Sequence, residues 1–396
     1  MPVFPLGLAY LGASLREAGH DVTLFDLLGL DDPGSAVVGR IRAFRPDLMG
    51  FSIRNIDNQD PFQSVFYLPE IRDIVRASRK VSRAPVVLGG AGYSIFPRRV
   101  LRYLGGDYGV VGEGENALCG IAQRLSCGGA VDDIPGVITP DRREPLERSL
   151  IQDLGRIPRP AHELLPIGRY AQTSPMPIQG KRGCNRKCIY CTSPLIEGRT
   201  IRLRPPARIV EEIEYAVTRH GVRRFFFVDN LFNYREEPTL ALCHALISRG
   251  LPIEWSCILH PQGVTAELVR RMKRAGCTEA SLGFESGSDA MLQRLGKGFT
   301  ADDVKQASRL LKAQGIRQTG FLLLGGPGES RETVEESLAF AEDLAPEVMK
   351  LAVGIRVYPG TALADMARAE GRIPPDADLL APIFYFSEKV DGWLQE

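Results

Sequence analysis

No stretch of the sequence stays apolar long enough to cross a bilayer; the runs 225–228 and 320–325 are strand-sized. No basic segment leads into an apolar core near the N-terminus, so a secretory leader is not expected. No charge of one sign accumulates either. Lys and Arg number 49 against 48 Asp and Glu, which leaves no electrostatic footprint for nucleic acid or an acidic membrane face. A disulfide framework is also missing. Five of the eight cysteines (Cys119, Cys127, Cys243, Cys257, Cys277) stand singly, as small hydrophobes do. A chain of 396 residues needs no such staples. The expectation is a globular protein of the cytoplasm, 44% hydrophobic and 24% charged, long enough for two domains.

Residues 1–138 alternate helix and strand as a doubly wound, Rossmann-like α/β domain does. The spacing predicts helices over 6–18, 36–44 and 68–78, and strands over 21–26, 47–53, 85–88 and 108–111. Three of these strands run into polar or glycine-rich loops. They are Arg54-Asn55-Ile56-Asp57-Asn58-Gln59-Asp60, Gly89-Gly90 and Gly112-Glu113-Gly114-Glu115. In open parallel sheets a ligand lies along that edge. Such a domain ordinarily opens with a strand, yet here the first helix follows Met1-Pro2 almost at once. The first strand is therefore missing from the pattern, or the sheet is built without it.

Residues 139–172 are charged and proline-bearing and read as a linker over the surface. From 173 to 385 strands centred near Ile178, Phe226, Trp255, Leu282, Leu323 and Val353 alternate with helices, and 386–396 forms a tail. Six strands with five intervening helices imply a partial (β/α)6 barrel, with active residues at the C-terminal ends of its strands.

Directly after the first of these strands comes Gly183-Cys184-Asn185-Arg186-Lys187-Cys188-Ile189-Tyr190-Cys191. Three thiolates on one loop each take one iron of a cubane and leave the fourth iron open, the mark of a catalytic metal centre. The alternatives are three chance cysteines or a zinc site, and zinc would want a fourth Cys or His at similar spacing. None follows before His220. Gly183 permits a sharp turn, and Arg186 and Lys187 offset cluster charge.

This loop, with an aromatic before its third cysteine, resembles the radical S-adenosylmethionine (SAM) superfamily. The resemblance covers about residue 176 to the C-terminus. It implies a 4Fe-4S cluster on Cys184, Cys188 and Cys191, with SAM chelated to the fourth iron and Tyr190 beside it. It further implies cleavage of SAM to a 5′-deoxyadenosyl radical by an electron from an external donor of flavodoxin or ferredoxin type. The stretch 227–233 is similar to the segment that meets the SAM amino group through Asp229; Asn230 stands where the family usually has a second acidic residue. Glu285 and Ser286 in GFESGS, with Lys297 downstream, match the segment that reaches the SAM ribose and methionine end. Gly325 in GFLLLGGPGE matches the segment packed against adenine. Without the resemblance, Asp229 reads as a helix cap and 325–328 as a turn. Arg356, Tyr358 and Thr361 follow the sixth strand and read equally well as structural.

The N-terminal motifs PLGLAYL, GHDV, VLGG and GEGE resemble the cobalamin-binding domain that precedes many radical SAM domains. The implied contacts are Arg54, Asn55, Asp57, Asn58, Gly89, Gly90, Gly112 and Glu113. A corrinoid is broad and planar, and flat glycine-lined loops with hydrogen-bonding groups suit it. No Asp-x-His-x-x-Gly occurs, so cobalt would lack a protein imidazole; His20 reads as structural and His260 lies within the barrel. The pair of resemblances implies a class B radical SAM methyltransferase acting on an unactivated carbon of a small molecule or peptide. One SAM would methylate cobalamin and a second would furnish the radical. The alternatives are a cyclase or rearrangement enzyme using the same cofactors, and a corrinoid- or cluster-binding sensor without turnover.

Overall fold

A computed structural model of the chain describes residues 3–141 and 147–395, so 142–146 of the expected linker lie outside the described residues. Two compact units emerge. One runs to Ile167 and takes in Leu195–Gly198; the other holds Gly168–Pro194 and everything from Arg199.

The N-terminal unit is built on a four-stranded sheet in the order β1 (Met49–Ser52), β2 (Val86–Gly89), β3 (Tyr108–Val110), β4 (Val137–Ile138). The first three strands are parallel and β4 returns antiparallel to β3. Val87, Val110 and Val137 pack on Ala117 and Ile121 of the helix Gly114–Ser126, which is the amphipathic arrangement the pattern calls for. The expected helices are present as Leu6–Glu17, Pro33–Phe44 and Leu68–Val81.

The strand expected over 21–26 is a correction: that run joins no ladder among the described residues. In the flavodoxin-like order 2-1-3-4-5, the strand after the first helix pairs with the strand preceding that helix. No strand precedes Leu6–Glu17 among the described residues, so residues 21–26 lack the neighbour that this order would pair them with. Leu24 instead packs onto Gly12 of that helix.

Much of the segment read as a linker is bound into this unit. Ser149 bridges to Gly112, Ile151 N–H donates to Glu113 Oε2 at 2.6 Å, and Ala161 N–H donates to the Ala9 carbonyl at 3.0 Å.

The second unit carries six parallel strands: β5 (Met176–Ile178), β6 (Arg224–Phe227), β7 (Glu254–Leu259), β8 (Cys277–Glu285), β9 (Arg317–Leu324) and β10 (Val348–Val353). Each hydrogen-bonds its sequence neighbours, and β5 and β10 form the two edges, so the barrel is open. Side chains of β7 from Trp255 and of β8 from Glu279 alternate between buried and half-buried, as period-2 patterning demands. Phe227, Phe232 and Trp255 meet with centroids 5.0–5.2 Å apart in its core, and the Trp255 indole N–H donates to the Ala275 carbonyl at 2.7 Å. The connecting helices start and stop by local chemistry: a capping box at Thr300 and Asp303 opens Ala301–Ala313, and Gly221 with φ 66° closes Pro206–His220. The expected tail folds back onto the barrel, where Val390 and Trp393 pack against Leu324 and Val334. No helix among the described residues is long and apolar enough to cross a membrane.

Candidate functional site

The cysteine loop leaves β5 through a short ribbon in which Lys181–Arg182 pairs antiparallel with Arg202–Leu203. Gly183 adopts φ 96°, and a Cβ there would sit 2.2 Å from the Thr200 carbonyl oxygen; only glycine passes. The far side of the loop is held by backbone. Ile189 N–H donates to the Leu295 carbonyl at 3.1 Å, and its own carbonyl accepts from Leu363 at 2.9 Å. Gly296 lies so close that a Cβ would stand 2.5 Å from the Lys187 carbonyl oxygen. Cys184 is buried and Cys188 and Cys191 are half-buried, and none of them is in a disulfide. Burial pushes the Cys188 thiol up, Lys297 opposes this, and Cys191, Cys184 and Glu285 add to the rise. No group of three Cys, His, Asp or Glu side chains among the described residues already surrounds a single metal-ion position.

Glu285 ends β8 with φ 68°, a left-handed conformation that a non-glycine residue adopts at a cost, just past a shift in the strand register. That turn brings its Oε1 to 3.3 Å from Lys297 Nζ, which also donates to the Tyr190 hydroxyl at 3.3 Å. Burial, then Glu285, pushes the Tyr190 phenol up, so it stays protonated. Lys297 is itself buried and lies over the Tyr190 and Phe299 rings. Tyr190, Glu285 and Lys297 are therefore one polar group beside the thiols.

Three other expected site residues serve the fold in this structure. Ser286 is completely buried, its hydroxyl 2.8 Å from that of Ser337 and accepting from Ser288 N–H at 3.1 Å. Its hydroxyl thereby fixes the strand end. Asp229 caps no helix. Its Oδ1 accepts from the N–H groups of Gly180 (2.7 Å) and Lys181 (3.1 Å), and its Oδ2 lies 3.8 Å from Lys181 Nζ. Burial pushes this carboxyl up while Lys181 pulls it down. Asp229 is thus a clamp on the chain entering the cysteine loop. Gly325, at φ 93°, begins a turn that Glu329 closes by accepting from Gly325 and Gly326 N–H. Arg356 donates to the carbonyls of Val357, Leu379 and Leu380, and Thr361 caps Ala362–Ala369.

The N-terminal sheet presents its strand ends in two ways. Arg54 and Asn55 are exposed just beyond β1, and Gly89-Gly90 ends β2 half-buried. Gly90 has φ 101°, and a Cβ on it would come within 2.6 Å of the Ile53 carbonyl oxygen, so glycine keeps the two strand ends flush. The remaining residues are occupied. Asp57 Oδ1 accepts from Gln59 N–H, and Asn58 ties its own loop through Gln63 and Val65. Gly112 passes under Ser149, and Glu113 holds Ile151.

Sequence reasoning missed Lys181, whose tie to Asp229 spans 48 residues and has no local signal. It also missed Ser193 as a polar group of this region, and placed His260 only within the barrel. His260 is buried at the end of β7 with neither ring nitrogen bonded, and burial and Arg186 hold its pKa down at about 4.

Comparison with known proteins sets this geometry in a family. The radical SAM superfamily matches residues 178–341 and the B12-binding domain matches 1–122. An uncharacterised methyltransferase of Pyrococcus horikoshii is 30% identical over 372 residues, covering 92% of this chain and 78% of that protein. The tryptophan 2-C-methyltransferase of Streptomyces laurentii is 25% identical, covering 92% of this chain and 72% of its own length. The radical SAM methyltransferase TsrM of Kitasatospora setae, solved with tryptophan and a SAM analogue, superposes with a TM-score of 0.88 at 23% identity, over 99% of this chain and 84% of that one. The donor set fits these cofactors: three thiols outside any disulfide on a pinned loop for a cluster, a Glu–Lys–Tyr group around the buried Lys297 beside them for SAM, and flush glycine strand ends with exposed polar side chains for a corrinoid. The chain belongs to the radical SAM proteins that carry a B12-binding domain, and its cofactors are a 4Fe-4S cluster, SAM and cobalamin.

Proposed function

We propose that this chain is a cobalamin-dependent radical SAM methyltransferase that methylates an unactivated carbon of a small molecule or peptide. The observation that carries the reading is the pinned three-thiol loop with Glu285, Lys297 and Tyr190 directly beside it, in a chain that also has a B12-binding domain. Cys184, Cys188 and Cys191 hold the cluster, and Asp229 and Gly183 fix the path of the loop that carries them. Glu285 and the protonated Tyr190 offer hydrogen bonds to SAM, and Lys297 orients both. Arg54, Asn55, Gly89 and Gly90 face the corrinoid, while Asp57, Asn58, Gly112 and Glu113 shape the loops behind them. When bound, the cluster supplies the electron that cleaves SAM and the corrinoid carries the methyl group. The electron comes from an external flavodoxin- or ferredoxin-type donor in the cytoplasm, where free thiols such as these persist.

Methyl transfer uses SAM in two ways, and that is the test. Holoenzyme is given SAM with a deuterated methyl group and dithionite. S-adenosylhomocysteine and 5′-deoxyadenosine should both form, with label on the corrinoid above a protein-free control. Deoxyadenosine without label would replace this reading with a cyclase or rearrangement enzyme. Neither nucleoside would indicate a sensor.

A further inference from the structure

Cys191, Ser193 and Asn230 form a hydrogen-bonded chain at the edge of the cysteine loop. The Cys191 thiol donates to Ser193 Oγ at 3.4 Å, and the Ser193 hydroxyl donates to Asn230 Oδ1 at 2.9 Å. Ser193 opens the short helix Ser193–Glu197 that follows the loop. Asn230 adjoins Asp229, the clamp on Gly180 and Lys181, so its backbone is fixed to the chain entering the same loop.

A serine hydroxyl has one proton to give. With Cys191 as a thiolate on iron, the sulfur stops donating and becomes an acceptor. The proton then has two destinations, the sulfur or residue 230. An asparagine can turn its Nδ2 toward Ser193 and donate, which frees the serine proton for the sulfur. An aspartate has no proton to give and, being charged, would keep that of the serine. The amide at position 230 therefore decides where the proton points.

We propose that Ser193, set by Asn230, hydrogen-bonds the Cys191 sulfur and raises the reduction potential of the cluster. The proposal rests on Cys191 being a cluster ligand. Hydrogen bonds to the sulfurs and net charge are among the protein's levers on iron–sulfur potentials, because a donor withdraws charge and favours the more negative, reduced state. Ser193 acts through Cys191 and is a positioning residue. One electron enters the cluster on reduction and the proton stays on the serine oxygen.

The test is a redox titration of reconstituted holoenzyme without SAM, read by the electron paramagnetic resonance of the reduced cluster, with iron and sulfide assayed alongside. At the potential where wild type is half reduced, Ser193→Ala should keep its iron and show a reduced-to-oxidised ratio about tenfold lower, a fall of about 59 mV for a one-electron couple. Ser193→Thr, which keeps the hydroxyl, should stay within about twofold of wild type. Asn230→Asp should shift the same way as Ser193→Ala, and its effect should shrink when Ser193 is already alanine. Full iron with an unchanged titration in Ser193→Ala overturns the proposal. Loss of iron from that variant overturns it too, since Ser193 would then support the loop. A wild type that takes up no cluster removes the ligand assignment itself, and the proposal with it.

Discussion

Glu285 Oε1 lies 3.3 Å from Lys297 Nζ, and the contact exists because Glu285 takes a φ of 68° that few non-glycine residues adopt. Backbone strain at a strand end is kept where it aims a side chain, here toward the thiol loop.

Replacing this residue should affect both stability and binding. Glu285→Gly relieves a left-handed conformation worth about 1 kcal/mol and deletes the carboxylate. The relieved strain is outweighed by leaving Lys297 buried without its carboxylate, so urea unfolding should show lowered stability, and equilibrium dialysis weaker SAM binding. Glu285→Gln should keep the strain and also bind less SAM. A glycine variant with full SAM affinity would remove Glu285 from the site.

Ser286 and Ser337 should behave as one unit. Each alanine substitution should cost about 2 kcal/mol, because a buried hydroxyl and the N–H groups of Ser288 and Gly287 lose partners. The double variant should cost clearly less than the sum, and denaturant midpoints of the four proteins measure this. Additive losses would show that the two hydroxyls are not coupled.

Asp229→Ala leaves two backbone N–H groups buried without an acceptor and removes the countercharge of Lys181, whose ammonium keeps only its bond to the Phe232 carbonyl. The loss should be about 3–5 kcal/mol, with iron lost from the adjacent loop. Asp229→Asn keeps one oxygen acceptor and should retain more iron, as a colorimetric iron assay would record. Equal iron loss in both variants would instead make the charge essential.

His260 gives a pH signature. Its folded pKa is depressed from 6.5 to about 4 by burial, with Arg186 contributing. A depressed base favours its neutral form in the fold, so its stabilisation is complete above pH 6.5 and is lost as pH falls through about 4. Relative to His260→Phe, wild type should lose up to about 3 kcal/mol on acidification across that window. Parallel stability curves for the two proteins would show that the imidazole is not held neutral.

Local chemistry decided what the sequence made legible. Cys184, Cys188 and Cys191 lie within one loop, Gly183 is required by its own backbone turn, and the alternation of six strands with helices follows from side-chain period. Such features depend on neighbours within a few residues, so they can be read without a fold. Partners across the chain cannot. Ser286 meets Ser337 51 residues away, Asp229 meets Gly180 49 residues back, and Ser193 meets Asn230 at a separation of 37. The family resemblance gave Ser286 and Asp229 a ligand; in the fold their oxygens also meet the protein's own buried N–H groups and hydroxyl, which must be satisfied. The run 21–26 has the composition of a strand, yet a strand exists only beside another edge, and only the tertiary structure shows whether that edge is there.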